Sequence, residues 1–318
     1  MSSKDEVLSR LQESQSPLSG EKIALDLSIS RAAVWKAIEV LRDEGYLIEG
    51  VTNLGYRLIS HQPLLNQAKL ETIFPSYKVE VLDTVDSTNT ELKRRSPKVK
   101  TLLVAHSQSG GRGRLGRGFF SPRGGIYLSL ALPLNLPIDS ALLVTSAAAV
   151  ATSEAISEVC SLEPSIKWVN DLFLDEKKVC GILTEGVISM ENRTLATVII
   201  GIGINLHVPI DQFPLELQDI VTSLFASTDS LPIDPHTLVQ RIISNLEVFI
   251  ERLPDRSFLE AYRKRSNVIG KRIIVHEGKV TYPGFVVGID DDAHLIINDE
   301  EGKSRVLSSG EVGVRLEG

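Results

Sequence analysis

The period of the hydrophobic residues changes twice along this 318-residue chain, so no single repeating architecture can accommodate it. Over about residues 1–60 the period is helical. Val7, Leu8 and Leu11 share a face, and Ser19 can N-cap a second helix with Ile23 and Leu27 a turn apart. A turn at Ser28-Ile29-Ser30 leads to a third helix, capped by Ser30, with Val34, Ile38 and Leu41 as its buried stripe and Gly45 at its end. Short alternating runs at 46–49 and 56–59, around Gly50 and Asn53-Leu54-Gly55, spell a hairpin. Ser60-His61-Gln62-Pro63 reads as a linker. Residues 64–267 then mix strands (78–82, 102–105, 126–132, 166–168, 172–174, 179–185, 196–204) with helices (87–95, 140–160, 236–252, 256–266). Several strands follow one another over tight connections, which predicts an α+β fold with a mixed sheet rather than a regular βαβ alternation. Residues 268–318 turn to period two: five short runs at 272–276, 280–289, 294–297, 304–308 and 312–316 predict a small barrel.

Composition narrows the class. Hydrophobic residues at 42% and charged residues at 24% describe a globular chain, and a formal charge of −7 confines any nucleic-acid contact to a local patch. Cys160 and Cys180 are the only cysteines, with no disulfide framework and no metal spacing, as expected of a reducing compartment. The polar N-terminus offers no signal peptide, and the serines, threonines and Glu154 within 141–159 read as too polar for a bilayer span. A cytoplasmic protein is expected.

Two helices joined by a tight turn and followed by a hairpin describe a winged helix-turn-helix. With the apolar stripe of its third helix buried, Ser30, Arg31, Ala32, Trp35 and Lys36 are left to face DNA, and Asn53 and Arg57 could reach the backbone from the wing. Seven Lys/Arg against nine Asp/Glu in this segment favour a mere packing or dimerisation module, and the order of the elements with their wing outweighs that charge in favour of DNA.

The most unusual run is Gly110-Gly111-Arg112-Gly113-Arg114-Leu115-Gly116-Arg117-Gly118. Glycines admit a ligand close to the backbone, and arginines clamp anions through forked hydrogen bonds. No Gly-Lys-Ser/Thr follows and no βαβ unit surrounds it, so it is neither a Walker loop nor a dinucleotide fingerprint. A solvated surface loop or an RGG-like nucleic-acid segment are the bland alternatives.

With Gln108 and Ser109 before it, this run resembles the signature loop of biotin–protein ligases. Asp86-Ser87-Thr88-Asn89, Lys167-Trp168-Val169-Asn170-Asp171, Lys178-Val179-Cys180-Gly181-Ile182-Leu183 and Gly201-Ile202-Gly203-Ile204-Asn205 fall around it in the family's order. The head, through Ser30 to Ile38 and Gly55-Tyr56-Arg57-Leu58, is similar to that of the bifunctional class, the biotin operon repressors. Val169, Leu115 and Phe119 stand where proline, arginine and tryptophan are common in the family, which implies a less rigid turn, one charge fewer and a smaller aromatic lid.

The resemblance implies three domains (1–60 DNA-binding, 64–267 catalytic, 268–318 a small SH3-like barrel), with a catalytic fold related to class II synthetases. It implies two steps: biotin's carboxylate attacks the α-phosphate of Mg-ATP to give biotinyl-5′-adenylate, and a lysine of a biotin carboxyl carrier domain takes the biotin. Lys178, Arg112 and Arg114 are then the catalytic residues. Ser87, Thr88, Asn89, Gln108 and Gly113 would hold biotin with them, while Arg114, Arg117, Phe119, Asn170, Asp171 and Asn205 would hold ATP or the adenylate. Asp171 is the candidate for Mg2+. Operator DNA and an adenylate-dependent homodimer complete the implied partners. Alone, Ser87-Thr88-Asn89 reads as an N-cap, Asn170-Asp171 as a turn and Lys178 as a solvated hairpin lysine. A lipoate–protein ligase and a non-catalytic ligand-sensing transcription factor are the competing functions.

Overall fold

The computed structural model describes residues 3–14, 16–43, 46, 48–52, 54–58, 65–189, 194–226, 231–278 and 280–314. The expected linker at 60–63, Asn53 of the wing and Gly45 lie outside the described residues. The chain divides into two units, Met1–Pro75 with Thr228–His236, and Ser76–Ser227 with Thr237–Gly318.

The first unit carries helices α1 (Ser3–Gln12), α2 (Gly20–Asp26) and α3 (Arg31–Asp43) and the hairpin β1 (Ile48–Val51) and β2 (Gly55–Leu58). Val7, Leu11, Ile23, Val34, Ile38 and Leu41 meet in one core, so the stripes legible in the sequence are the faces that pack. Ser19 Oγ accepts from Lys22 N–H and Ser30 Oγ from Ala33 N–H, both at 3.1 Å, satisfying donors that the helix leaves open. Leu18 and Tyr56 exchange backbone hydrogen bonds of 2.8 Å and so hold the hairpin to the helices. At Gly55, where φ is +109°, a Cβ would lie 2.1 Å from Leu18 O, so only glycine fits. A fourth helix, α4 (Gln67–Ile73), was not expected from the sequence, since seven residues with few apolar positions give little periodicity. Asn66 N–H donates to His236 Nε2 at 2.8 Å, and Lys69 pairs with Asp234 at 2.9 Å.

The second unit is built on a mixed sheet whose strands are β3 (Lys78–Val85), β4 (Thr101–Gln108), β5 (Ile126–Leu132), the two-residue β6 (Leu136–Pro137), β7 (Ser165–Lys167), β8 (Asp171–Leu174), β9 (Lys177–Ser189) and β10 (Thr194–Ile204). Their hydrogen-bonded order is β3-β4-β5-β10-β9-β8-β7, with β6 beside β10. Among the described strands of this sheet only β3 and β4 pair in parallel, and α5 (Thr88–Arg95) makes that crossover. The helices of this unit are α6 (Ala141–Cys160), α7 (Pro235–Glu251, which begins in the first unit) and α8 (Phe258–Arg265). Strands β11 (Arg272–Glu277), β12 (Val280–Ile289), β13 (Leu295–Asn298), β14 (Ser304–Leu307) and β15 (Glu311–Val314) follow as an antiparallel sheet in the order β14-β13-β12-β11-β15. Trp168 is core, as its sequence context suggests, and donates from Nε1 to Ala293 O at 2.9 Å.

One expectation needs correcting. The segment Ile138–Cys160 is long and apolar enough to cross a membrane by length and composition, contrary to the reading that its hydroxyls forbid it. Its hydroxyls are poor evidence because a helix hides them on its own backbone: Thr145 and Thr152 donate to the carbonyls four residues back at 2.8 Å. Burial of 72% of its apolar window inside the protein reads it instead as a core helix.

The head depends on very few side chains, and Ile38 is fully buried among them. Ile38→Ala is expected to cost about 2–5 kcal/mol. Urea unfolding followed by far-ultraviolet circular dichroism should show an earlier first transition, and an unchanged midpoint would mean that the α3 stripe is not what holds this unit together.

Candidate active site

The ends of β4, β8, β9 and β10 and the start of α5 converge on one cavity. Ser87, Thr88, Asn89, Gln108, Arg112, Gly113, Arg114, Arg117, Phe119, Asn170, Asp171 and Lys178 all line it. These came from four separate stretches of sequence, and the sheet gathers them. Asn205, also expected here, lines an adjoining groove with Phe119, Asp171 and Lys178.

The floor of the cavity is glycine. Gly181 pairs with Gly203, and Gly201 with Leu183, across β9 and β10. A Cβ at position 201 would lie 2.3 Å from Asn89 Oδ1, and one at 203 would lie 2.6 Å from the Phe119 ring. The glycines therefore let Asn89 and Phe119 descend onto the sheet.

The arginine–glycine run closes over one side as a small hairpin. Gly113 N–H donates to Arg117 O and Phe119 N–H to Gly111 O, both at 2.8 Å, and Leu115 turns through φ +53°. Ser109 and Gly110 fasten its base to Val85 O and Asp86 O at 2.9 and 2.8 Å. At Gly111 a Cβ would meet Phe119 O at 2.3 Å.

Each cation of the site rests against a partner. Lys178 Nζ is 2.8 Å from Asp171 Oδ1 and 5.7 Å from the centre of the Phe119 ring. Arg114 Nη1 donates to Asn170 Oδ1 at 3.3 Å, and Arg112 lies 3.9 Å from Glu185. Among the described residues no three His, Cys, Asp or Glu side chains form a cluster that could hold a metal ion. Asn170 also donates to Ile182 O at 2.8 Å, and Asn205 to Thr222 O at 3.1 Å, which leaves Asn205 Oδ1 buried without a partner.

The bland reading of Ser87 is correct in part: it caps α5, with Thr90 N–H donating to its Oγ at 3.4 Å, and also lines the cavity. Four features escaped the sequence reading. Ser129 contacts Thr88 and Asn89, Glu185 takes hydrogen bonds from Asn89 and Lys93, and Ser121 accepts from Gln108. Residues 220–222 flank Lys178, whose N–H donates to Ile220 O while its carbonyl accepts from Thr222, each at 2.9 Å. A signal for Ser129 existed, as the one serine in the fully buried strand Ile126–Leu132.

On α3 of the first unit, Ser30, Arg31, Ala32, Trp35 and Lys36 are exposed together, and Trp35 is 59% accessible. Arg57 of the wing pairs with Glu49 at 2.8 Å and so is already engaged within its own hairpin.

Residues 81–205 match the model of the biotin/lipoate A/B protein ligase family, and residues 4–57 match that of an HTH domain. The chain is 35% identical over 306 residues to the bifunctional ligase/repressor BirA of Bacillus spizizenii, covering 92% of each. With the protein of the same name from Escherichia coli the identity is 29% over 303 residues, covering 93% of this chain and 92% of the other. Among solved structures, the biotin protein ligase of Aquifex aeolicus in complex with biotin and ATP superposes with a TM-score of 0.62 at 32% identity, covering 75% of this chain and 98% of that one.

Both cysteines are free and buried, and Cys180 lies on β9 beside Gly181. Burial pushes the Cys160 thiol up to about 12, and it raises Cys180 well above the ordinary thiol range. Since the thiolate is the reactive form, a charged disulfide reagent at about pH 8 should label neither in the native protein and both in denaturant. Fast labelling of Cys180 in the native protein would mean that β9 opens at the site.

Proposed function

The chain belongs to the biotin/lipoate A/B protein ligase family, and from that premise we propose that it is an ATP-dependent biotin–protein ligase that also represses transcription. The observation that carries this reading is the convergence of Arg112, Arg114 and Lys178 on a cavity floored by glycines. Joining a carboxylate to a nucleoside triphosphate brings anion against anion, so the site must supply positive charge more than a base.

In the first step a carboxylate oxygen of biotin attacks the α-phosphorus of ATP, forming the acyl phosphate bond as pyrophosphate leaves. Lys178 would bridge the carboxylate and the α-phosphate. Arg112 and Arg114 would neutralise the flanking oxygens, and the Gly113 backbone would close over the ligand. Arg117, Phe119, Asn170 and Asn205 would hold the adenylate portion, with the unsatisfied Asn205 Oδ1 suited to accept from an exocyclic amine. Magnesium enters with ATP as part of the substrate. Asp171, already paired with Lys178 and, among the described residues, in no metal-holding cluster, would at most complete a shell made by phosphates and water. In the second step the neutral amine of an acceptor lysine attacks the acyl carbon. The adenylate's phosphate leaves with AMP, and the amine gives up one proton.

The acceptor is the biotin carboxyl carrier domain of a carboxylase, and the protein works in the cytoplasm. Ser30, Arg31, Ala32, Trp35 and Lys36 would face the operator. Few phosphates can be neutralised by one such head, so tight binding calls for two copies on a two-fold operator. Biotinyl-adenylate would promote that homodimer.

Lys178→Ala is expected to lower pyrophosphate release about 10²–10³-fold, equivalent to about 3–4 kcal/mol of transition-state stabilisation, with an unchanged circular dichroism spectrum. Near-normal release would remove Lys178 from the chemistry. A non-hydrolysable adenylate analogue is expected to strengthen both self-association and operator binding, because a ligand that favours the dimer must itself bind it more tightly. Sedimentation equilibrium with and without the analogue, beside operator titrations, reads both. If neither constant moves, the adenylate is not the corepressor.

A further inference from the structure

Asn89 is only 3% exposed, and both hydrogens of its amide are spent inside the protein. Its Nδ2 donates to Leu183 O and to Glu185 Oε2, each at 3.1 Å. A carbonyl oxygen can only accept, so Leu183 fixes which way the amide is turned, and Oδ1 must face Ser129. That amide oxygen can also only accept, so the Ser129 hydroxyl donates to it, at 2.6 Å. Ser129 has one hydrogen. Its 2.7 Å contact with Thr88 Oγ1 is then a hydrogen bond only if Thr88 is the donor. The hydroxyls run one way, from Thr88 to Ser129 to Asn89.

Glu185 locks the far end. Burial pushes its carboxyl up, but the hydrogen bonds from Lys93 and Asn89, with the charges of Lys93 and Arg112, outweigh burial and hold it below the usual range. It remains an acceptor at neutral pH.

Gln108 is fixed by the same logic. Its Oε1 accepts from the Thr88 backbone N–H at 2.9 Å, so Nε2 faces Ser121 Oγ at 2.8 Å and has a second hydrogen beyond that bond. Thr88 and Gln108 both line the cavity. One offers an acceptor and the other a donor, which is the complement of the –NH–C(=O)– edge of a cyclic urea.

We propose that Ser129 is a positioning residue which, held by Asn89, commits the Thr88 hydrogen away from the cavity and so makes the site select ligands that carry an N–H at that point. Asn89 on this view orients the site rather than touching the ligand. The inference rests on the reading of biotin as the occupant.

The test is calorimetric titration of the full chain with biotin and with the two cyclic carbamates in which one or other ring N–H is replaced by oxygen. The wild type should bind one carbamate at least about 30-fold more weakly than biotin, since an oxygen there faces lone pairs only. In Ser129→Ala the Thr88 hydrogen has only the longer 3.2 Å contact with Gln108 and can turn to the ligand, so the ratio should shrink to within about fivefold. Ser129→Cys, nearly isosteric and a weak acceptor, should shrink it as well and serves if the alanine variant does not fold. Thr88→Ser, which keeps the hydroxyl, should keep the ratio. A merely structural role for Ser129 would weaken all three ligands together and leave the ratio in place, and that outcome counts against the proposal. Biotin binding with the wild-type ratio in Ser129→Ala, or no discrimination by the wild type, overturns the proposal alone. Failure of the wild type to bind biotin overturns it together with the reading beneath it.

Discussion

Three side chains are missing where the central sheet meets its ligand cavity, and the rest of the site is arranged around that gap. β10 lies between β5 and β9, hydrogen-bonded on both sides, so its backbone is among the most firmly held in the second unit. Because a strand alternates its faces, Ile199, Gly201 and Gly203 share one face while Ile200, Ile202 and Ile204 share the other. The isoleucines are buried and keep the strand anchored, which lets the opposite face give up its side chains at a cost in packing. Asn89 settles over Gly201 and Phe119 over Gly203, and with Gly181 opposite there is room for Lys178 alongside the ring. A loop could not offer the same gap in a fixed place. Here rigidity comes from the hydrogen-bonded ladder and space from the residues it carries.

That gap also separates what the sequence discloses from what it withholds. Chemistry-bearing residues in distinctive local company are legible: the arginine–glycine run, Asn170-Asp171 after a tryptophan, and Lys178 before an apolar strand. Elements with a strong period are legible too: the head carries its three helices, and β5 and α6 fall within a residue of their expected bounds. The roles of Ser129 and Glu185 are not, because neither belongs to a motif and their strand neighbours say nothing about what lies across the sheet. Their meaning appears only when α5 brings Asn89 over the β9–β10 pair. Asn89 stands out by its motif and lines the cavity, but its partners are not written there, since a neighbour on a helix cannot reveal that a carbonyl and a carboxylate more than ninety residues away take its amide hydrogens. The adjacent segment 220–222 escaped for the same reason: its function is carried by backbone groups, and backbone hydrogen bonds leave no residue signature.

Charge in the site is held in a reversible form. A buried cation without a partner is costly, and an anion site with no ligand faces that cost at every arginine and lysine. Here Lys178 leans on Asp171 with both side chains about a quarter exposed, Arg112 stays at 3.9 Å from Glu185, and Arg114 reaches a neutral amide. Pairs open to solvent to this extent contribute little net stability, on the order of 0–1 kcal/mol. A ligand with several negative charges can therefore exchange places with these partners at small cost, and the cations then become available to it together. Tighter internal pairs would stabilise the empty protein and oppose the ligand.

In the head, four of the cations rest on partners in pairs that are as open to solvent as those of the site. Arg10 pairs with Asp26, Arg42 with Glu39 and Arg57 with Glu49, and Lys4 lies 3.9 Å from Asp5. Among the described residues neither Arg31 nor Lys36 takes part in an ion pair, and both stand on the exposed face of α3 beside Trp35. Were Arg31 and Lys36 each to neutralise one phosphate, as proposed, the salt slope would be roughly −2 in log affinity, which describes weak and unspecific adhesion. Contacts made by two joined copies add in the logarithm, so affinity for a two-fold site rises as the product of the half-site terms. In the homodimer we propose, a head with so few free cations would bind weakly as one copy and tightly as two, so that control over pairing would be control over the operator.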